Sequence, residues 1–167
     1  MVDRNKRFAG VILGGLTLGL GLAGTLGGCT SYTNVAEHES YNDGQDPNSR
    51  MASSAVRTAL EWVTLRHGIP GAYAINLPEG TSLETAGRIA EALGPDAVIP
   101  TSETLDLPTY HIGRVWIRLS DAKVDVVYPM STFDGRQIVR GVTVWMNADF
   151  GGWKVRRGQY WSPGTVP

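Results

Sequence analysis

Cysteine is almost absent from this 167-residue chain, with Cys29 the single instance. That excludes an internal disulfide framework and any zinc site built on two or more cysteines. Charge is sparse at 19% of residues, and 15 basic against 16 acidic side chains leave a net charge of −1. The chain therefore offers no global polycation for nucleic acid. Also missing are a Gly-x-Ser-x-Gly elbow, a His-Glu-x-x-His pair, a phosphate-binding P-loop and a dinucleotide fingerprint. Long apolar runs are limited to one, Phe8 to Leu26, which excludes a multi-span membrane protein. What remains is ordinary: 42% hydrophobic residues and a length that suits one globular domain.

The richest pattern lies at the start. Arg4, Lys6 and Arg7 precede the uncharged stretch, and Leu26-Gly27-Gly28-Cys29 closes it. A basic segment, an apolar segment and small residues at a cleavage point make a secretory signal. Here the small residues stand directly before the only thiol. The pattern resembles a bacterial lipoprotein signal with its lipobox. That resemblance implies cleavage after residue 28, a diacylglycerol thioether on Cys29 and an amide-linked acyl chain, such as palmitate, on its freed amine. Thr30, where an Asp would signal inner-membrane retention, implies an outer-membrane destination. The membrane is then a partner through Cys29, since each buried CH₂ contributes about 0.8 kcal/mol. The competing reading is an uncleaved transmembrane helix over residues 8–26. The six glycines from Gly10 to Gly24 weigh against it.

Thr30 to Arg50 is polar and aperiodic and reads as a flexible tether of roughly 25 Å. The expected organisation is a signal peptide (1–28), a lipidated Cys with its tether (29–50) and a single domain (51–167). A helix is expected over Ser49 to His67, with an apolar stripe of Ala52, Ala55, Val56, Ala59, Leu60 and Val63. A short strand follows at Tyr73 to Leu77. A second helix over Ser82 to Leu93 opens on a Thr81/Glu84 capping box, with Leu83, Ala86, Ile89, Ala90 and Leu93 facing the core. Val98-Ile99 suggests a brief edge strand and Thr101 to Pro108 a loop.

The remainder alternates like strands. A two-residue loop at Ser120-Asp121 pairs Leu119 with Ala122, Ile117 with Val124 and Val115 with Val126. It also sets Arg118 opposite Lys123, a like-charge pair. Ile138 to Met146 and Trp153 to Trp161 complete the sheet, with Met146 opposite Trp153 and a bulge at Arg157-Gly158. The expected fold is α+β: an antiparallel sheet of about four main strands with two helices on one face. The closing meander also resembles the cystatin-like and nuclear-transport-factor-like cones, though the strand between the helices departs from their order.

Charge is split along the chain. Residues 30–109 are mainly acidic, whereas residues 110–167 are mainly basic and hold all the tryptophans except Trp62. Arg114, Trp116, Arg118, Trp145, Lys154 and Arg156 fall on the sheet face opposite the expected core. Trp and Arg are enriched at binding hot spots, so this face is the candidate binding surface. An envelope protein, an anionic glycan or a lipid headgroup would suit it. The plainer reading is cross-strand stacking that merely stabilises an exposed sheet. His67 fits the end of a helix, where a positive imidazole favours the dipole. His111 beside Tyr110 is the one candidate for a small hydrolase. A small-ligand carrier would need a cavity under the helices. No metal site or cofactor is indicated, and the leading expectation is a non-enzymatic binding or structural module.

Overall fold

The computed structural model describes residues 46–163 and 165, and the backbone of residues 30–34. The signal segment and Cys29 lie outside the described residues. The elements run β1 (Thr30–Asn34), α1 (Arg50–His67), β2 (Tyr73–Asn76), α2 (Leu83–Leu93), β3 (Ala97–Val98), β4 (Thr109–Arg118), β5 (Asp121–Ser131), β6 (Gln137–Asp149) and β7 (Gly152–Tyr160). The fold is α+β, as the alternation and helical stripes imply. Among the described residues no helix is long and apolar enough to cross a membrane.

The sheet is mixed rather than antiparallel. Its order is β3-β2-β4-β5-β6-β7, and β2 runs parallel to both β3 and β4. Parallel neighbours need a crossover connection, and α2 supplies the one from β2 to β3. β4 to β7 form the expected antiparallel meander. β1 pairs with the second half of β4, Thr30 opposite Arg118 and Asn34 opposite Arg114. It occupies the same edge as β2, which pairs with the first half of β4. A strand thus stands where the polar composition suggests the start of a tether.

α1 is capped by Ser49, whose hydroxyl accepts from the Ala52 amide, and all six residues of its expected stripe are buried. The three alanines among them let the helix lie close to β4, β5 and β7. Gly158 on β7 shows how close. A Cβ there would meet the Trp62 indole of α1, with Cζ3 at 3.0 Å and Cζ2 at 3.1 Å. Tyr110, fully buried, donates its hydroxyl to the His67 carbonyl at 2.7 Å and ties down the helix end. Burial first, and the neighbouring Tyr73 next, push the Tyr110 phenol up to about 12. α2 packs on α1 and β3. Its cap is Ser82 rather than Thr81, and Leu83 is exposed rather than in the core. Thr81 instead donates to the Pro78 carbonyl. Thr85 takes the inward position that Leu83 was expected to fill.

Both hairpin registers differ from expectation by two residues. Ile117 opposes Ala122 and Val115 opposes Val124, so the turn is Leu119-Ser120. Leu119 adopts φ 53°, the only positive φ outside glycine among the described residues. The expected like-charge pair disappears: Arg118 faces Asp121, and Lys123 faces Trp116. In the last hairpin Met146 opposes Val155 and Val144 opposes Gly158, with the bulge at Arg156. A slip of two residues leaves every side chain on its original face, which is why alternation alone does not detect it. Only past the bulge, where the slip becomes three, does the face change and Arg157 take the place opposite Trp145.

Candidate functional site

The helices cover one face of β4 to β7, and none of the described helices covers the other. On that open face the corrected registers assemble three rows, each running across four strands. The middle row is Trp116, Lys123, Trp145 and Arg157. Lys123 Nζ lies 4.7 Å from the Trp116 ring centroid and 4.1 Å from that of Trp145. Arg157 Cζ lies 4.4 Å from Trp145. Rings and cations therefore alternate across the sheet, each contact contributing about 0.5–2 kcal/mol.

The next row is Arg114, Asp125, Thr143 and Gln159. Asp125 is only 2% exposed. A buried carboxylate is costly unless its oxygens are engaged. Arg114 Nε donates to one at 2.9 Å, and the Thr143 hydroxyl donates to the other at 2.5 Å. Trp161 Nε1 in turn donates to Thr143 Oγ1 at 3.1 Å. The threonine hydroxyl has one proton to give, so its orientation is fixed by an acceptor on one side and a donor on the other. This chain ties the residue after β7 into the floor of the face. The third row is Arg118, Asp121, Asn147 and Lys154. Here Asn147 Nδ2 donates to Asp121 at 3.1 Å, Arg156 reaches Asn147 Oδ1 at 3.4 Å, and Lys154 pairs with Asp149.

The first two rows, except Arg157, line a groove of about 310 Å³ together with Trp161, and Arg157 stands beside it against Trp145. Among the described residues neither Lys123 nor Arg157 forms an ion pair. The groove is therefore cationic despite Asp125, whose charge Arg114 balances. The Trp145 indole nitrogen is buried and has no hydrogen-bond partner in the structure. Such a donor costs about 1–3 kcal/mol.

Arg114, Trp116 and Trp145 from the sequence-derived set meet in this groove. Arg118 and Lys154 belong to the third row, near the turns, and Arg156, the bulge residue, reaches Asn147 of that row; none of the three lines the groove. Lys123, Asp125, Thr143, Arg157, Gln159 and Trp161 were not identified as site residues. A signal for two of them existed. The like-charge opposition of Arg118 and Lys123 vanishes on a two-residue shift, which also brings Asp125 to Arg114 and Lys123 to Trp116.

The histidines sit elsewhere. His111 Nδ1 lies 2.7 Å from the Asn76 amide nitrogen across the β2–β4 pair. His67 stacks on Tyr128 at 4.5 Å and approaches the Tyr160 hydroxyl at 3.0 Å through Nε2. Burial first, then Arg66, lower its pKa, which favours a neutral ring over the charged helix cap that its position suggests. A second depression, of about 660 Å³, lies around Pro108, Pro129, Ile138 and Pro163. No residue of α1 or α2 lines either cavity. Among the described residues no cluster of His, Cys, Asp or Glu could hold a metal ion.

Comparison with protein-family models, with curated proteins and with solved structures finds no match to this chain. The functional reading therefore rests on the residues and their geometry.

Proposed function

We propose that the protein is a lipid-anchored component of a bacterial cell envelope, held at the outer membrane by acyl groups on Cys29, and that its domain is a non-enzymatic module binding an anionic glycan. The anchor is supported by the basic start, the apolar run and Leu26-Gly27-Gly28-Cys29. The observation that carries the binding reading is the Trp116–Lys123–Trp145–Arg157 row beside its groove.

Alternate strands put the two indoles about 10 Å apart, close to the span of two pyranose rings. Indole faces suit the C–H faces of sugars, and the ammonium and guanidinium groups suit carboxylates or phosphates. The aromatic contacts also hold the long Lys123 and Arg157 chains, so less side-chain freedom is lost when a ligand binds. A concave groove of this volume fits a small-molecule segment better than a flat protein surface.

The test is a tryptophan-fluorescence titration with an oligogalacturonate, and with a neutral maltooligosaccharide of equal length. The expected result is saturable binding of the acidic oligomer alone, weakened at least about tenfold by Lys123→Ala or Arg157→Ala. Equal binding of both oligomers, or no effect of either substitution, would discard the glycan reading. Intact mass of wild type beside Cys29→Ala tests the anchor separately.

A further inference from the structure

We infer that the domain docks directly on the bilayer through one end of its sheet, with Met51, Leu119 and Phe150 entering the lipid interface. The inference rests on the lipid-anchor reading, because it takes Cys29 as the point of attachment. The structural argument begins with β1. Its first residue, Thr30, is already paired with Arg118, the last residue of β4. Cys29 is the preceding residue, and one extended residue spans only about 3.5 Å. No length of tether remains between an acylated Cys29 and the folded sheet. Whichever end of the sheet carries the Thr30–Arg118 pair must lie at the membrane.

That end has the surface such a position calls for. The β4–β5 turn presents Leu119, and the β6–β7 turn presents Phe150, which stands fully free of the protein. The two turns are joined: the Ala148 amide and the Asn147 side chain both donate to the Ser120 carbonyl, at 2.6 and 3.0 Å. The first turn of α1 reaches the same end, where Trp153 Nε1 donates to the Met51 carbonyl at 3.1 Å. Met51 is half exposed. Three apolar side chains from three separate segments thus stand at the end of the sheet where β1 begins, Leu119 beside it and Phe150 and Met51 toward the β7 edge. Exposed Arg50, Arg118 and Lys154 flank them. Of these, Lys154 pairs with Asp149 and Arg118 stands opposite Asp121, so no acid at the two turns lacks a basic neighbour and Arg50 is the base in excess. Apolar tips ringed by basic side chains are the composition of an interfacial membrane contact, with the apolar part buried about 5–10 Å. Basic residues add attraction to anionic headgroups. The occupant is therefore a lipid surface carrying anionic headgroups.

The molecule contains its own control. Phe133, in the β5–β6 turn at the opposite end of the sheet, is as exposed as Phe150. Full-length Phe150→Cys and Phe133→Cys would each be extracted, labelled with an environment-sensitive fluorophore and placed in phosphatidylethanolamine–phosphatidylglycerol vesicles. Both side chains are fully exposed, so the substitutions leave the fold intact. A nitroxide at a shallow acyl position is the quencher, and intact mass reports acylation on the same samples. Quenching several-fold stronger at 150 than at 133 supports docking. Acylated protein with equal or negligible quenching at both positions overturns docking and leaves the anchor standing. Unmodified Cys29 removes the anchor and, with it, the docking that depends on it.

Discussion

The same four strands, β4 to β7, carry two faces built on different physics. Toward the helices the rows are Ile117–Ala122–Met146–Val155, Val115–Val124–Val144–Gly158 and Ile112–Val126–Val142–Tyr160. Toward solvent they are the ring–cation row, the Asp125 row and the Asn147 row. The inner rows are specified by volume: any apolar set that fills the space under α1 would serve, and Gly158 is small because the Trp62 ring lies over it. The outer rows are specified by partner. Each of their residues matters through the one opposite it, so their content depends on register in a way that the inner rows do not.

The largest expected effect breaks the inner face. Gly158→Ala drives a methyl group into the Trp62 indole and should lower unfolding free energy by about 1–3 kcal/mol. Chemical denaturation of a double-mutant cycle with Trp62→Ala should recover most of that loss. Additive losses would mean that the two residues do not meet. On the outer face, Arg114→Ala leaves the Asp125 carboxylate with Thr143 alone. Because Arg114 is 46% exposed, water takes up part of the lost contact. The expected cost is then about 1–3 kcal/mol rather than that of a fully buried pair. Combining it with Asp125→Asn should restore stability, since the buried charge is then gone. Failure of that rescue would show that Arg114 acts through packing.

Leu119→Gly tests the turn that sets both faces in register. Leucine at φ 53° carries a left-handed penalty of about 1–2 kcal/mol. Glycine removes it but loses about 0.5–1 kcal/mol through its freer unfolded state. A net gain of a few tenths to about 1 kcal/mol is expected in the denaturation midpoint. The smallest effect belongs to His67. Its folded-state pKa is lowered below the ordinary 6.5, so the unfolded chain binds the proton more readily. Its contribution is fully present above 6.5 and is lost as pH falls through the lowered folded value. Urea melts from pH 7.5 down to pH 5 should show wild type losing slightly more stability than His67→Gln.

This contrast also explains what was legible beforehand. The α1 stripe and the inner alternation follow from period alone, and every stripe residue is buried. Arg114, Trp116 and Trp145 were placed on the correct face for the same reason. Their neighbours were not identified because period 2 says which face a residue takes and not which residue it meets. Turn chemistry normally supplies that. Leu119-Ser120 has neither the glycine nor the asparagine that marks a tight hairpin turn. At β7 the bulge at Arg156 passes the place beside Trp145 to Arg157, a change that regular alternation does not show. The parallel pairing of β2 was hidden for a third reason. Its partner β3 is only two residues long and has no pattern of its own.

The pairing of β1 with β4 has a mechanical consequence. If the chain is held at Cys29 and a ligand is pulled on the open face, tension enters the domain at Thr30 and travels along β1. The two strands are antiparallel and side by side over Thr30–Asn34. A load along that axis stretches their hydrogen bonds together in shear instead of opening them one at a time. The segment that joins the domain to its anchor would then act as a clasp, giving way all at once above a threshold force.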